Sequence, residues 1–186
     1  MEIFFGTEVM HLAWATAAEK DYEFYLWLND DVYLYNNFLE EIFETYYKFN
    51  NRIIVSGIIE SIDKSEILYG GYDANKNLVN PAGESKPITY LNGNIVLVSK
   101  EIYHMLGNLD PYYCHDLGDV DYGLRALKKN IKIYSTKVPV GAGEKNPICR
   151  ERLNNTTIAK RFKRLYAPLG SNPKINFILG RNINLF

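Results

Sequence analysis

Two short acidic segments hold the residue types that could do chemistry. The first is Trp27-Leu28-Asn29-Asp30-Asp31-Val32, an apolar run that stops abruptly at an amide and two carboxylates. Mg²⁺ and Mn²⁺ take oxygen ligands and commonly bind one or two carboxylates together with substrate phosphates, so acids at the end of a buried strand suit a metal-held nucleotide diphosphate. The plainer reading is a strand-to-helix turn in which these side chains cap backbone groups. The second segment is His115-Asp116-Leu117-Gly118-Asp119-Val120-Asp121-Tyr122-Gly123-Leu124-Arg125. Acids ahead of and inside a helix's first turn gain from its dipole, which favours the ionised form that a general base needs. Here the plainer reading makes Asp119 an N-cap and Asp121 a first-turn acid. His115 is a candidate ligand or proton partner, or simply polar surface. A third segment, Lys160-Arg161-Phe162-Lys163-Arg164 with Arg150 and Arg152 upstream, is a solvated helix face or a contact for donor phosphates or anionic lipid heads.

The elements around these segments alternate. Met10, Ala13, Trp14 and Ala17 fall on one face of a helix, and Phe24 to Leu28 form a continuous apolar run expected to be a strand covered on both sides. Leu39, Ile42, Phe43 and Tyr46 make the next helical stripe, with Asn37 as N-cap and Glu40 completing a capping box. Ile53 to Ile59 reads as a buried strand, and residues 60–90 as a turn-rich meander that includes Ile67-Leu68-Tyr69. Ile95 to Val98 forms a strand leading into a helix capped by Ser99 and ended by Gly107. A helix from Asp119 to Lys129, stopped at Asn130, precedes a strand from Ile131 to Tyr134. The alternation predicts an α/β sandwich with a mainly parallel central sheet, in which the two acidic segments could converge on one cleft.

With 21 Lys and Arg against 22 Asp and Glu, the formal charge of -1 provides no field to gather nucleic acid. Cys114 and Cys149 form no CxxC pair and follow no secretory signal, which points to a reducing cytoplasm. No apolar run approaches the roughly 20 residues of a membrane span. A single domain is expected over 1–186, with a catalytic core over about 1–149 and a helical, basic extension over about 150–186.

The order of motifs resembles bacterial family 2 glycosyltransferases of the GT-A fold. They are Leu28-Asn29-Asp30-Asp31, Asn92 to Val98, Gly107 to Pro111 and Gly118 to Arg125, with Met10 to Trp14 and Tyr166 to Pro173 extending the likeness over nearly the whole chain. The resemblance implies a GT-A-like α/β/α sandwich and an inverting transfer from a nucleotide-diphosphate sugar to a hydroxyl of a saccharide or lipid-linked acceptor, in cell-surface polysaccharide synthesis. It implies Mn²⁺ or Mg²⁺ held at Asn29, Asp30 and Asp31, with Asp31 the best ligand. Asp119 maps to the base that deprotonates the acceptor, with Asp121 as the alternative, although its four-residue spacing also suits orienting Arg125. Asn92, Gly93 and Asn94 would lie beside sugar and acceptor, where glycine allows close backbone approach. His115 and Arg125 complete the substrate-binding candidates.

Departures from the pattern are Asn29 in place of the first acid, Gly118 where many relatives have Glu, and no His within Val138 to Gly143. The family's N-terminal nucleotide-binding strands have no counterpart, so an N-terminally truncated fold, self-association through an open sheet edge and peripheral association with the inner face of the membrane are further expectations. The alternative function is a non-catalytic, glycosyltransferase-like binding fragment. A nucleotidyltransferase ranks lower, because no phosphate-cradling glycine-rich loop is present.

Overall fold

The computed structural model describes residues 7–113, 117–145 and 157–160. Cys114, His115, Cys149, Arg150, Arg152, the Tyr166 to Pro173 motif and the basic run beyond Lys160 lie outside the described residues. Among the described residues the main elements follow in the order α1 (Thr7–Ala18), β1 (Phe24–Leu28), β2 (Tyr33–Leu34), α2 (Phe38–Lys48), β3 (Ile53–Ser61), β4 (Ile67–Tyr69), β5 (Ile95–Ser99), α3 (Lys100–Leu106), α4 (Gly118–Lys128) and β6 (Lys132–Gly143).

The strands form one sheet in the order β1-β5-β3-β6-β2, with β4 added on β3. Among the described strands, only β3 and β6 pair in parallel; β1 with β5, β5 with β3, β3 with β4 and β2 with β6 are antiparallel. The sheet is therefore mixed, not mainly parallel as the alternation suggested. A strand covered on both faces is a continuous apolar run whichever way it points, and β5 and most of β3 are buried throughout. Their pattern carried no record of direction. At the end of the sheet, β1 has β5 as its described partner, and its outward residues Leu26 and Leu28 are 37% and 40% exposed, so this strand is covered on one face instead of two.

Helices cover both sides. One core joins Trp14, Tyr25, Trp27, Ile54, Ile58, Val96, Val98, Ile102, Tyr122 and Ile133, which seats α1, α3 and α4 on one face. The other joins Ile42, Tyr46, Ile53, Val55, Ile59, Ile95, Leu97 and Val140 beneath α2. Each face buries several large aliphatic side chains, at roughly 1.5–3 kcal/mol apiece. Helix α2 starts after Asn37, but no side-chain cap bond forms there, so the expected capping box is absent. Helix α3 follows its prediction: Ser99 accepts from the Ile102 amide, and Gly107 ends it at φ 73°.

Strand β6 runs nine residues past the predicted Tyr134, to Gly143, because Val138, Val140 and Ala142 continue a period-two pattern. Pro139 sits opposite Ile58 at an irregularity of the ladder, where a missing amide is tolerated. There Thr136 Oγ1 accepts the Ile58 amide at 3.1 Å. No helix among the described residues is long and apolar enough to cross a membrane.

Candidate active site

The antiparallel β1–β5 pairing dictates where the first acidic segment meets the rest of the chain. Leu28 lies opposite Ile95, so the residue leaving β1 and the residue entering β5 must be neighbours. They are Asn29 and Asn94. The Asn29 amide nitrogen donates to the Asn94 carbonyl at 3.0 Å, and Asn29 Nδ2 donates to Asn94 Oδ1 at 2.6 Å. One residue upstream, the Gly93 amide donates to Asp119 Oδ2 at 2.7 Å. Asn29, Asn94, Gly93 and Asp119 thus form one hydrogen-bonded line from the end of β1 to the first turn of α4.

Two glycines permit this approach. A Cβ at Gly123 would stand 2.8 Å from the Leu91 Cβ, so only glycine lets α4 settle against the strand-entry turn. A Cβ at Gly93 would stand 3.2 Å from the Asp119 Cβ and 3.3 Å from its Oδ2. Asp119 Oδ1 also accepts the Val120 amide at 2.8 Å. Both carboxylate oxygens are thereby oriented. Ahead of the helix, Leu117 takes the left-handed conformation at φ 68°, uncommon for a branched side chain, and its carbonyl accepts the Asp121 amide at 2.8 Å.

Asp30 and Asp31 are exposed on the turn between β1 and β2. Among the described residues neither carboxylate has a hydrogen-bond or ion-pair partner. Strand β2 pins this turn to the end of β6 through the Tyr33–Ala142 and Leu34–Gly141 pairs. A Cβ at Gly141 would come within 2.9 Å of the Tyr33 carbonyl oxygen, so glycine is required beside the turn. Sequence reasoning missed this contribution of β6, whose signal was the alternation through Val138, Val140 and Ala142. Asn92 lies next to Gly93, with its Oδ1 buried and accepting no hydrogen bond.

The second acid of α4 points elsewhere. Asp121 is buried and accepts from Arg125 Nε at 2.8 Å, the four-residue ion pair allowed by spacing. Arg125 Nη1 donates to the Leu106 carbonyl at 2.7 Å and Nη2 to the Asn108 carbonyl at 3.0 Å. The structure therefore brings Asn29, Asn94, Gly93 and Asp119 together and groups Asp121 with Arg125 separately. His115 lies outside the described residues. Asn108 and His11, which enter the Arg125 network, lie within the Gly107 to Pro111 and Met10 to Trp14 motifs, but the sequence assigned neither a role.

No group of three or more His, Cys, Asp or Glu able to hold a metal occurs among the described residues. An all-protein cage does not fit. By donor chemistry, Asp30 and Asp31, whose carboxylates have no partner among the described residues, suit a Mg²⁺ or Mn²⁺ that takes its remaining ligands from phosphate and water.

No protein-family model and no curated protein matches the sequence. Among solved structures, the chain is similar to GalNAc-T7, crystallised with UDP, GalNAc and Mn²⁺. The TM-score is 0.54 and the identity 14%, over 72% of this chain and 29% of that one. GalNAc-T7 is a glycosyltransferase of the GT-A fold, and at this identity the likeness is one of fold. A glycosyltransferase-like α/β fold is what the sequence order and the structure have in common, while the mixed sheet departs from the mainly parallel one expected.

Proposed function

We propose that this chain forms the catalytic part of a metal-dependent glycosyltransferase that moves a sugar from a nucleotide-diphosphate donor to an acceptor hydroxyl. The observation that carries the reading is the hydrogen-bonded line from Asn29 through Asn94 and Gly93 to Asp119. It sets an oriented carboxylate and two unpartnered ones at the same end of the sheet. The UDP and Mn²⁺ of the GalNAc-T7 crystals support a donor and cation of this kind.

Asp119 accepts the proton as the acceptor oxygen forms its bond to the anomeric carbon. The bond from that carbon to the diphosphate oxygen breaks with its electron pair leaving on phosphate, and the configuration inverts. No covalent nucleophile is needed. Asp31, with Asp30 and the Asn29 oxygen, would hold the cation, which supplies charge stabilisation for the departing diphosphate. Asn92 and the Gly93 backbone would lie beside the sugar and the acceptor. The finer assignment, an inverting family 2 enzyme of cell-surface polysaccharide synthesis with a saccharide or lipid-linked acceptor, rests on the order of the four sequence motifs.

The test is calorimetry of UDP-, GDP- and dTDP-sugars with and without Mn²⁺, followed by a transfer assay with any donor that binds. Metal-dependent binding and turnover are expected. Binding of a donor without transfer to any acceptor overturns the catalytic role, and no binding of any donor overturns the whole catalytic reading in favour of the non-catalytic fragment, which keeps the fold and binds no nucleotide.

A further inference from the structure

Arg125 was a candidate substrate-binding residue, yet its guanidinium is committed within the fold. Its three nitrogens reach Asp121 Oδ2 and the carbonyls of Leu106 and Asn108. Its plane lies over the Tyr122 ring, with 4.9 Å from Cζ to the ring centroid. Burial raises the Tyr122 phenol above its usual range, so the ring beneath the guanidinium stays neutral. The side chain is 30% exposed and its carboxylate partner 6%.

The segment that Arg125 grips is held from the other side as well. Asn108 Nδ2 donates to the His11 carbonyl at 2.9 Å, and its Oδ1 accepts the Leu109 amide at 2.7 Å. His11 Nδ1 donates to the Leu109 carbonyl at 2.6 Å. Residues 106–109 are thus tied to α4 by Arg125 and to α1 by His11 and Asn108. Tyr113, at the far end of the same connection, is fully buried in a cluster with Leu124, against which Leu117 and Val120 pack. Leu117 and Val120 flank the first turn that presents Asp119.

We propose that Arg125 is a positioning residue. By locking the α3–α4 connection onto α4, it fixes the first turn of the helix and so the direction in which Asp119 meets the acceptor. This rests on the base role given to Asp119 above. A planar fork is needed to satisfy a carboxylate and two carbonyls at once, which lysine cannot do. Arg125→Lys therefore keeps the charge opposite Asp121 while releasing the connection. Asn108→Ala releases it from the α1 side and carries the same test if Arg125→Lys does not fold.

Three readouts apply: amide hydrogen exchange over Gly107 to Tyr113, the ¹³C carboxyl resonance of Asp119, and steady-state kinetics. Either variant is expected to raise exchange there by at least about tenfold while β3 and β5 keep their protection. The Asp119 resonance should shift, and kcat should fall between about ten- and a hundredfold at a nearly constant donor KM. Unchanged exchange overturns the clamp. Raised exchange with an unmoved Asp119 resonance and normal kcat overturns the positioning role. If the native chain transfers no sugar, the function proposed above fails, and the Asp119 resonance still decides whether the clamp orients that carboxylate.

Discussion

The two ends of the β1–β5 ribbon treat their acids in opposite ways. At the end where Phe24 faces Ser99, Asp21 is matched by cations: Lys100 Nζ stands 3.1 Å from its Oδ2, and His104 Nε2 stands 3.2 Å from its Oδ1. At the end where Leu28 faces Ile95, no basic side chain among the described residues pairs with Asp30 or Asp31, and Asp119 accepts backbone amides. A small cleft of about 200 Å³ lies at the paired end, between Glu23, Phe24, Tyr46, Ser99, Lys100 and Glu101. Concavity and chemistry therefore separate, and the exposed turn acids Asp30 and Asp31, with no basic partner among the described residues, are the better guide. Carboxylates neighbouring in sequence without a counter-ion repel one another, an arrangement expected where an incoming cation joins them.

The sharpest way to break this comparison is at Asp119. If it is the base, Asp119→Asn lowers kcat by about 10²- to 10⁴-fold and leaves donor affinity nearly unchanged, as read by kinetics and calorimetry. Turnover within a factor of about two of the native rate would remove it from the chemistry. Asp31→Asn is next in size. A bound cation supplies several kcal/mol to a departing diphosphate, so loss of its main ligand should reduce activity by about 10²-fold or more and abolish Mn²⁺-dependent binding of UDP. Because Asp31 has no internal partner to lose, the melting temperature should not fall. A large fall in Tm would mean that the turn acids are structural after all.

Local chemistry was legible in the sequence and long-range chemistry was not. Ser99 and Gly107 marked both ends of α3 because capping is decided within a few residues. The Asp121–Arg125 pair was legible for the same reason, as helical spacing alone brings the two side chains together. The other two arms of Arg125 were not, because they end on backbone carbonyls that no residue type announces. Asn29, Asp31 and Asp119 could be named by type and position. The contact of Asn29 with Asn94, however, depends on β5 running antiparallel to β1, and the buried pattern of β5 is silent on direction.

Gly93→Ala sharpens the contrast from the backbone side. The new methyl would press on the Asp119 carboxyl and force it to give by a few tenths of an ångström. Such a displacement should lower kcat by about tenfold, with little change in Tm or Mn²⁺ affinity. If Asp119 is only a helix cap, the same substitution shifts Tm and leaves any turnover alone, and the two outcomes are separated by one melting curve and one rate.

The smallest effect belongs to the paired end. The hydrogen bond from Lys100, assisted by His104, holds the Asp21 carboxyl below its usual range against a smaller opposing effect of desolvation. A carboxylate whose pKa is depressed on folding contributes stability that is fully present above its unfolded value, near 3.9, and is lost as the pH falls through the lower folded value. Asp21→Asn should therefore lower Tm by about 2 °C or less at neutral pH. The difference from the native chain should shrink below about pH 4 and under high salt, because the pair is exposed and screened. Asp30→Asn and Asp31→Asn remove no ion pair among the described residues, so the Tm of either variant should match the native chain's at low and at high salt. A salt-dependent loss of Tm at Asp31 would place an unrecognised counter-charge beside it and erase the distinction between the two ends of the ribbon.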